Sequence, residues 1–225
     1  MAFNLEDMIK AGLIFGHQTS KIHPKIKPYL AGKRNGINLF DLEKTSQKLK
    51  EALDFVSTLV SEGKVLLLVG TKIQLKSLVK EIAIECGLPY ISERWLGGTF
   101  TNFETLKKRI EYFKKLEKQR DEGELVKYTK KEQSLFNQEI RKMEIKFGGI
   151  KNMDKLPDAI FVVDMKDNET AIKEAKAKKV KIIAIADTNV NPDLADYPIP
   201  ANDDSLMAVK YILDLLKEAV IKAKK

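Results

Sequence analysis

"VLLLVG", Val65 to Gly70, is an unbroken apolar run closed by a glycine. A strand with one wet face would alternate apolar and polar residues. A continuous run of this length suits a parallel strand with helices on both faces. "AIFVVD" (Ala159 to Asp164) and "VKIIAIAD" (Val180 to Asp187) have the same character. "PYIS" (Pro89 to Ser92) is a shorter candidate, and "INLF" (Ile37 to Phe40) precedes them all.

Helical patterns fill the intervals. Leu42, Leu49, Leu53, Val56 and Val60 share one face, and a helix over about 73–86 ends at Gly87. Ala171, Ala175 and Ala177 mark another. Leu206, Val209, Ile212, Leu213, Leu216 and Val220 form the inner face of a last helix. Strands alternating with helices predict right-handed βαβ units: an α/β fold with a doubly wound, mainly parallel sheet. Residues 16–36 contain Pro24 and Pro28 with no periodicity, and read as extended and irregular.

One segment breaks the rhythm. Between Phe103 and Gly148 there is no strand signal. Leu106, Ile110 and Phe113 repeat at heptad-like spacing, as do Phe136, Ile140, Met143 and Phe147. The prediction is an antiparallel coiled-coil hairpin over 104–148, inserted into an α/β domain made of 1–103 and 149–225. "RWLGGTFTNF" (Arg94 to Phe103) is the joint between them. Gly97 and Gly98 would turn the chain, and Thr101 or Asn102 would cap the next helix.

The chain has 225 residues, 44% hydrophobic and 32% charged, so a sizeable core is expected. Its net charge is +8, which favours a polyanionic partner. The N-terminus lacks a secretory pattern and no apolar run is long enough to span a bilayer, so a cytoplasmic protein without a membrane partner is expected. Cys86 is the only cysteine and falls within a helical pattern.

Two kinds of function compete. "VGTK", Val69 to Lys72, sits where a phosphate loop would be, but carries a single glycine and matches neither phosphate-binding pattern. Lys72 reads as a solvated first-turn lysine. Asp164 and Asp187 end strands, where carboxylates commonly bind turn amides. Asp203 and Asp204 precede a helix, whose N-terminus attracts acids. His17 and His23, six apart, do not make a usual metal set; His17 with distant Asp residues is the only conceivable one. No metal, cofactor or small-molecule substrate is expected.

Nucleic acid has the better signals. From Met8 to Phe40 there is no Asp or Glu, while Lys10, Lys21, Lys25, Lys27, Lys33 and Arg34 occur. An unneutralised stretch rich in Pro and Gly suits lying along phosphates, with Tyr29, His17 and His23 available to stack on bases. Over Glu104 to Lys146, 13 basic residues face 9 acids.

The stretches "AGLIFGHQTSKIHPKIKPYLAGKRNGINLFDLEKT", "RWLGGTFTNFETLKKRI", "GGIKNMDKLPDAIFVVD" and "IAIADTNVNPDLADYPIPANDDS" together resemble the bacterial small-subunit ribosomal protein S2 family over nearly the whole chain. The resemblance implies a flavodoxin- or Rossmann-like domain with an inserted helical hairpin and no enzymatic activity. It implies a late-bound protein at the head–body junction of the small subunit, contacting 16S rRNA. It also implies support for docking of the large mRNA-binding ribosomal protein among its neighbours. Phe103 and Ala201 stand where many members carry Trp and Gly. From charge and exposure, the expected RNA contacts are Lys21, Lys25, Lys27, Lys33, Arg34, Arg94, Thr101, Asn102, Lys107, Lys108 and Arg109.

Overall fold

The computed structural model describes residues 3–224. A short helix, α1 (Leu5–Lys10), begins at Asn4, whose side chain accepts from the Glu6 amide. Three strands follow: β1 (Phe15–Gln18), β2 (Leu30–Arg34) and β3 (Ile37–Phe40), with a 3-10 helix at Pro24–Tyr29. They pair antiparallel in the order β1-β3-β2. The irregular segment expected over 16–36 is therefore half of a small second sheet. Asn35 and Gly36 explain the difference. Both have left-handed φ, 51° and 76°, which is the turn that matches the twist of a two-residue hairpin.

The rest is built from α2 (Leu42–Ser61), β4 (Leu66–Val69), α3 (Lys76–Cys86), β5 (Tyr90–Ile91), α4 (Phe103–Asp121) and α5 (Lys130–Phe147). Then come β6 (Ala159–Val162), α6 (Glu169–Ala177), β7 (Lys181–Ala186), β8 (Tyr197–Pro200) and α7 (Leu206–Ala223). Five strands form a parallel sheet in the order β5-β4-β6-β7-β8. Renumbered within this sheet the order is 2-1-3-4-5, the flavodoxin-like winding. Ile37–Phe40 does not belong to it. The fifth parallel strand is "YPIP", which two prolines disguise. It is an edge strand, where a missing amide donor is tolerated.

Both faces of the sheet are buried, as the unbroken runs require. Leu66, Leu68, Phe161, Ile183, Ile185 and Ile199 point into one core, closed by α1, α2, α3 and α7. Leu67, Val69, Ile160, Val162, Ile182 and Ala184 point into a second, closed by α6 and by side chains of the 3-10 helix, the 95–100 loop, α4 and α5. Gly70 ends β4 because a Cβ there would sit 2.7 Å from Val79 of α3; close packing, not chain reversal, is what it serves. Ala201 needs no left-handed backbone and is buried in the first core.

The two inserted helices pack on each other and on the second core. Leu106, Ile110, Phe113, Ile140, Met143 and Phe147 are buried there, and Phe136 is partly buried. Toward the connection between the helices burial thins. Leu125 is covered, but Val126, Tyr128 and Leu135 are exposed. Tyr128 and Phe136 meet edge-on, with ring centroids 5.0 Å apart.

Candidate nucleic-acid interface

The glycine-rich loop does cradle an anion, and the anion belongs to the same chain. Glu174 lies on the buried stripe of α6, beside Ala171 and Ala175, and is 7% exposed. Its carboxylate accepts from the backbone amides of Gly98 (2.7 Å), Phe100 (2.8 Å) and Thr101 (3.1 Å). Trp95 Nε1 (3.4 Å) and the Thr101 hydroxyl (3.3 Å) complete the set. Burial pushes the carboxyl upward, but the amides of Phe100, Gly98 and Thr101 outweigh it and hold it below the usual carboxylate range. Trp95 packs edge-on against Phe100 at 4.9 Å, fixing the loop from the apolar side.

This arrangement corrects two local expectations. Of the two glycines only Gly98 has a left-handed φ, 91°; Gly97 faces open space. Asn102 occupies the N-cap position of α4 but makes no capping side-chain bond, because its backbone is not extended there. Thr101 does not cap either; its hydroxyl faces Glu174. Glu174 gave one signal in the sequence, a carboxylate at i+3 from Ala171 on an otherwise apolar stripe.

At the carboxyl ends of the strands, where this winding binds nucleotides, the space between β4 and β6 is occupied by an ionic cluster. Lys72 Nζ lies 2.6 Å from Asp203, 2.8 Å from Asp204 and 3.5 Å from Asp164. The expected solvated lysine is 15% exposed in its side chain. Burial opposes its charge, yet the carboxylates, Asp203 first, raise its pKa above the ordinary lysine value. Asp203 is pushed up to about 7 by burial and by the neighbouring charge of Asp187. A phosphate placed here would meet these carboxylates and a lysine already committed to them.

Asp164 and Asp187 do bind turn amides, as their strand-end positions predict. Asp164 accepts from Lys166 and Asp167, and Asp187 from Thr188 and Asp203. The fold also brings His17 to Asp187. Nδ1 lies 3.1 Å from Asp187, and Nε2 lies 3.3 Å from Asp204. The hydrogen bond with Asp187 raises the His17 pKa, against the opposing effect of burial. Ligand atoms of these three residues lie within 4.8 Å of one another, a set of one imidazole and two carboxylates that could hold a divalent cation.

The basic residues named from the sequence fall on the surface. Lys21, Lys25, Lys27, Lys33 and Arg34 are exposed: Lys25 and Lys27 on the 3-10 helix, Lys33 and Arg34 on β2, the edge of the small sheet. Lys25 alone of these five has an ion pair among the described residues, with Asp193 at 2.6 Å. His23 caps the 3-10 helix, its Nδ1 accepting from Lys25, so its ring is tied to local structure. Arg94, Thr101, Asn102, Lys108 and Arg109 are exposed and Lys107 is half-buried. Ile26 and Phe40, beneath the first group, and Trp95 and Phe100, beside the second, belong to the same core. The 3-10 helix and the 95–100 loop, next to these two groups of cations, thus pack on the same core.

The family model "Ribosomal protein S2" matches residues 8–223. Among curated proteins, the "Small ribosomal subunit protein uS2" of Coprothermobacter proteolyticus is 43% identical over 98% of this chain and 82% of its own. Its counterpart in Dehalococcoides mccartyi is 44% identical over 98% and 90%. That of Dictyoglomus thermophilum is 43% identical over 98% and 89%. The chain belongs to the ribosomal protein S2 family, and so is a structural protein of the cytoplasmic small ribosomal subunit with a role in translation.

Proposed function

We propose that this protein acts without enzymatic activity by binding 16S rRNA through the exposed cations that flank its second core. The observation that carries this reading is the acid-free segment from Met8 to Phe40. It is folded rather than loose, and it holds Lys21, Lys27, Lys33 and Arg34 on the surface without ion pairs among the described residues. A folded basic surface meets phosphates without first losing the entropy of a mobile tail. Arg94, Thr101, Asn102 and Lys107 to Arg109 extend the contact around the joint. Arg94 suits a bidentate phosphate contact. The protein sits near the head–body junction and supports docking of the large mRNA-binding ribosomal protein.

Co-sedimentation tests the central point. The full chain should travel with small subunits depleted of it and dissociate as salt rises. A protein that stays free at every salt concentration and binds a mononucleotide tightly would sink the reading. For docking, depleted subunits should fail to retain the large mRNA-binding protein until this chain is restored.

A further inference from the structure

The carboxyl end of α6 carries a second group of cations. Lys173, Lys176, Lys178, Lys179 and Lys181 fall within nine residues, and all are exposed. Lys173 is engaged by Glu169 and Lys181 by Asp196. Lys178 and Lys179 have no ion pair among the described residues. Lys176 reaches the carbonyl of Asp193 at 3.4 Å, while the Asp193 carboxylate is held by Lys25. The two clusters therefore meet at Asp193.

Lys179 is the unusual member. The Val180 amide donates to Ala175 at 2.9 Å and the Lys179 amide to Lys176 at 3.1 Å, closing α6 in a Schellman motif. The same pair of bonds closes α1, α2 and α3, and there the left-handed position is Gly12, Gly63 or Gly87. Here it is a lysine with φ 58°, a conformation that L side chains disfavour. The helix dipole favours cations near this end, but Lys176 and Lys178 meet that preference without strain. Strained residues concentrate where a side chain is needed for function. Beside Lys179 runs a groove of about 320 Å³, lined by Lys176, Lys179, Lys181, Val180, Leu194 and Ala195 together with Asp193 and Asp196, whose carboxylates are already held by Lys25 and Lys181.

We propose that this groove is a second track for an RNA sugar–phosphate strand, joined to the basic segment through Lys25, with Lys176 and Lys179 in the groove and Lys178, exposed next to them in the chain, as its phosphate contacts. It rests on the RNA-binding reading above. The test measures binding of the full chain to depleted small subunits across a salt series. Substituting Lys176, Lys178 and Lys179 together by Gln should weaken binding and lower the slope of log affinity against log salt by about 1 for each phosphate no longer neutralised. Lys179→Gly separates contact from structure: relief of the backbone should raise Tm while the slope falls by about 1. A raised Tm with unchanged binding would overturn the proposal. So would weaker binding at an unchanged slope, which would assign these lysines to a protein neighbour. Wild-type binding that ignores salt would remove the parent reading as well, whereas a steep wild-type slope with unaffected variants would remove this one alone.

Discussion

Glu174 ties α6 to the loop that leads into α4, and it does so with its charge. Gln at this position would keep the shape but lose the charge-assisted part of the bonds to Gly98, Phe100 and Thr101. Glu174→Gln should destabilise the protein by about 2 kcal/mol. Because the folded pKa is depressed, the contribution is present above the unfolded value and is lost as pH falls through the folded one. Denaturant titrations of both proteins should therefore differ fully at neutral pH, and the gap should close below pH about 4.5. A gap that persists undiminished in acid would mean packing, not charge, holds the loop. The neighbouring glycines divide in the same way. Gly98→Ala should cost about 1–2 kcal/mol for its left-handed φ, and Gly97→Ala only a few tenths. Equal losses would show that the two share one role. The glycine pair was plain in the sequence, and so was the idea that it turns the chain. The anion it wraps was not, because Glu174 is distant in sequence and helical acids are ordinarily solvated.

The inserted helices show what heptad spacing can and cannot say. Their seams, Leu106-Ile110-Phe113 and Phe136-Ile140-Met143-Phe147, were legible. Spacing alone could not reveal that much of these seams joins the second core of the α/β body. Side-chain volume at the far end of a contact leaves no trace in a local pattern. Phe113 is fully buried, so Phe113→Ala should cost about 3–5 kcal/mol, measured by chemical denaturation. Leu135 on the same helix pair is 57% exposed, and Leu135→Ala should stay within about 0.5 kcal/mol. A small effect at Phe113 would mean that the pair stands free of the body. The strands divide similarly. β4, β6 and β7 announced themselves as apolar runs. β8 did not, because prolines at an edge imitate a loop. The hairpin of β2 and β3 did carry its signal, the Asn35-Gly36 pair, amid a composition that otherwise reads as irregular.

Which surface cations are free and which are paired was only half legible. The absence of acids from Met8 to Phe40 can be counted in the sequence; which lysines elsewhere are neutralised cannot. On the helices over the first core the structure pairs Lys48 with Glu51, Lys217 with Glu85 and Lys222 with Glu218, while Lys50, Lys80 and Lys210 there have no ion pair among the described residues. Such surface pairs add little stability, but each leaves its lysine next to a carboxylate that a phosphate would have to displace. Lys21, Lys27 and Lys33 face no such competitor among the described residues. A polyanion should therefore engage these three lysines more readily than the paired ones. Two triple variants of equal charge change test this directly. Replacing Lys21, Lys27 and Lys33 by Gln should lower the salt slope of binding to depleted small subunits by up to about 3, one for each phosphate contact. Replacing Lys48, Lys217 and Lys222 by Gln removes the same three charges and should leave the slope nearly unchanged. Equal reductions in the two variants would show that net charge alone drives association, with no preferred face.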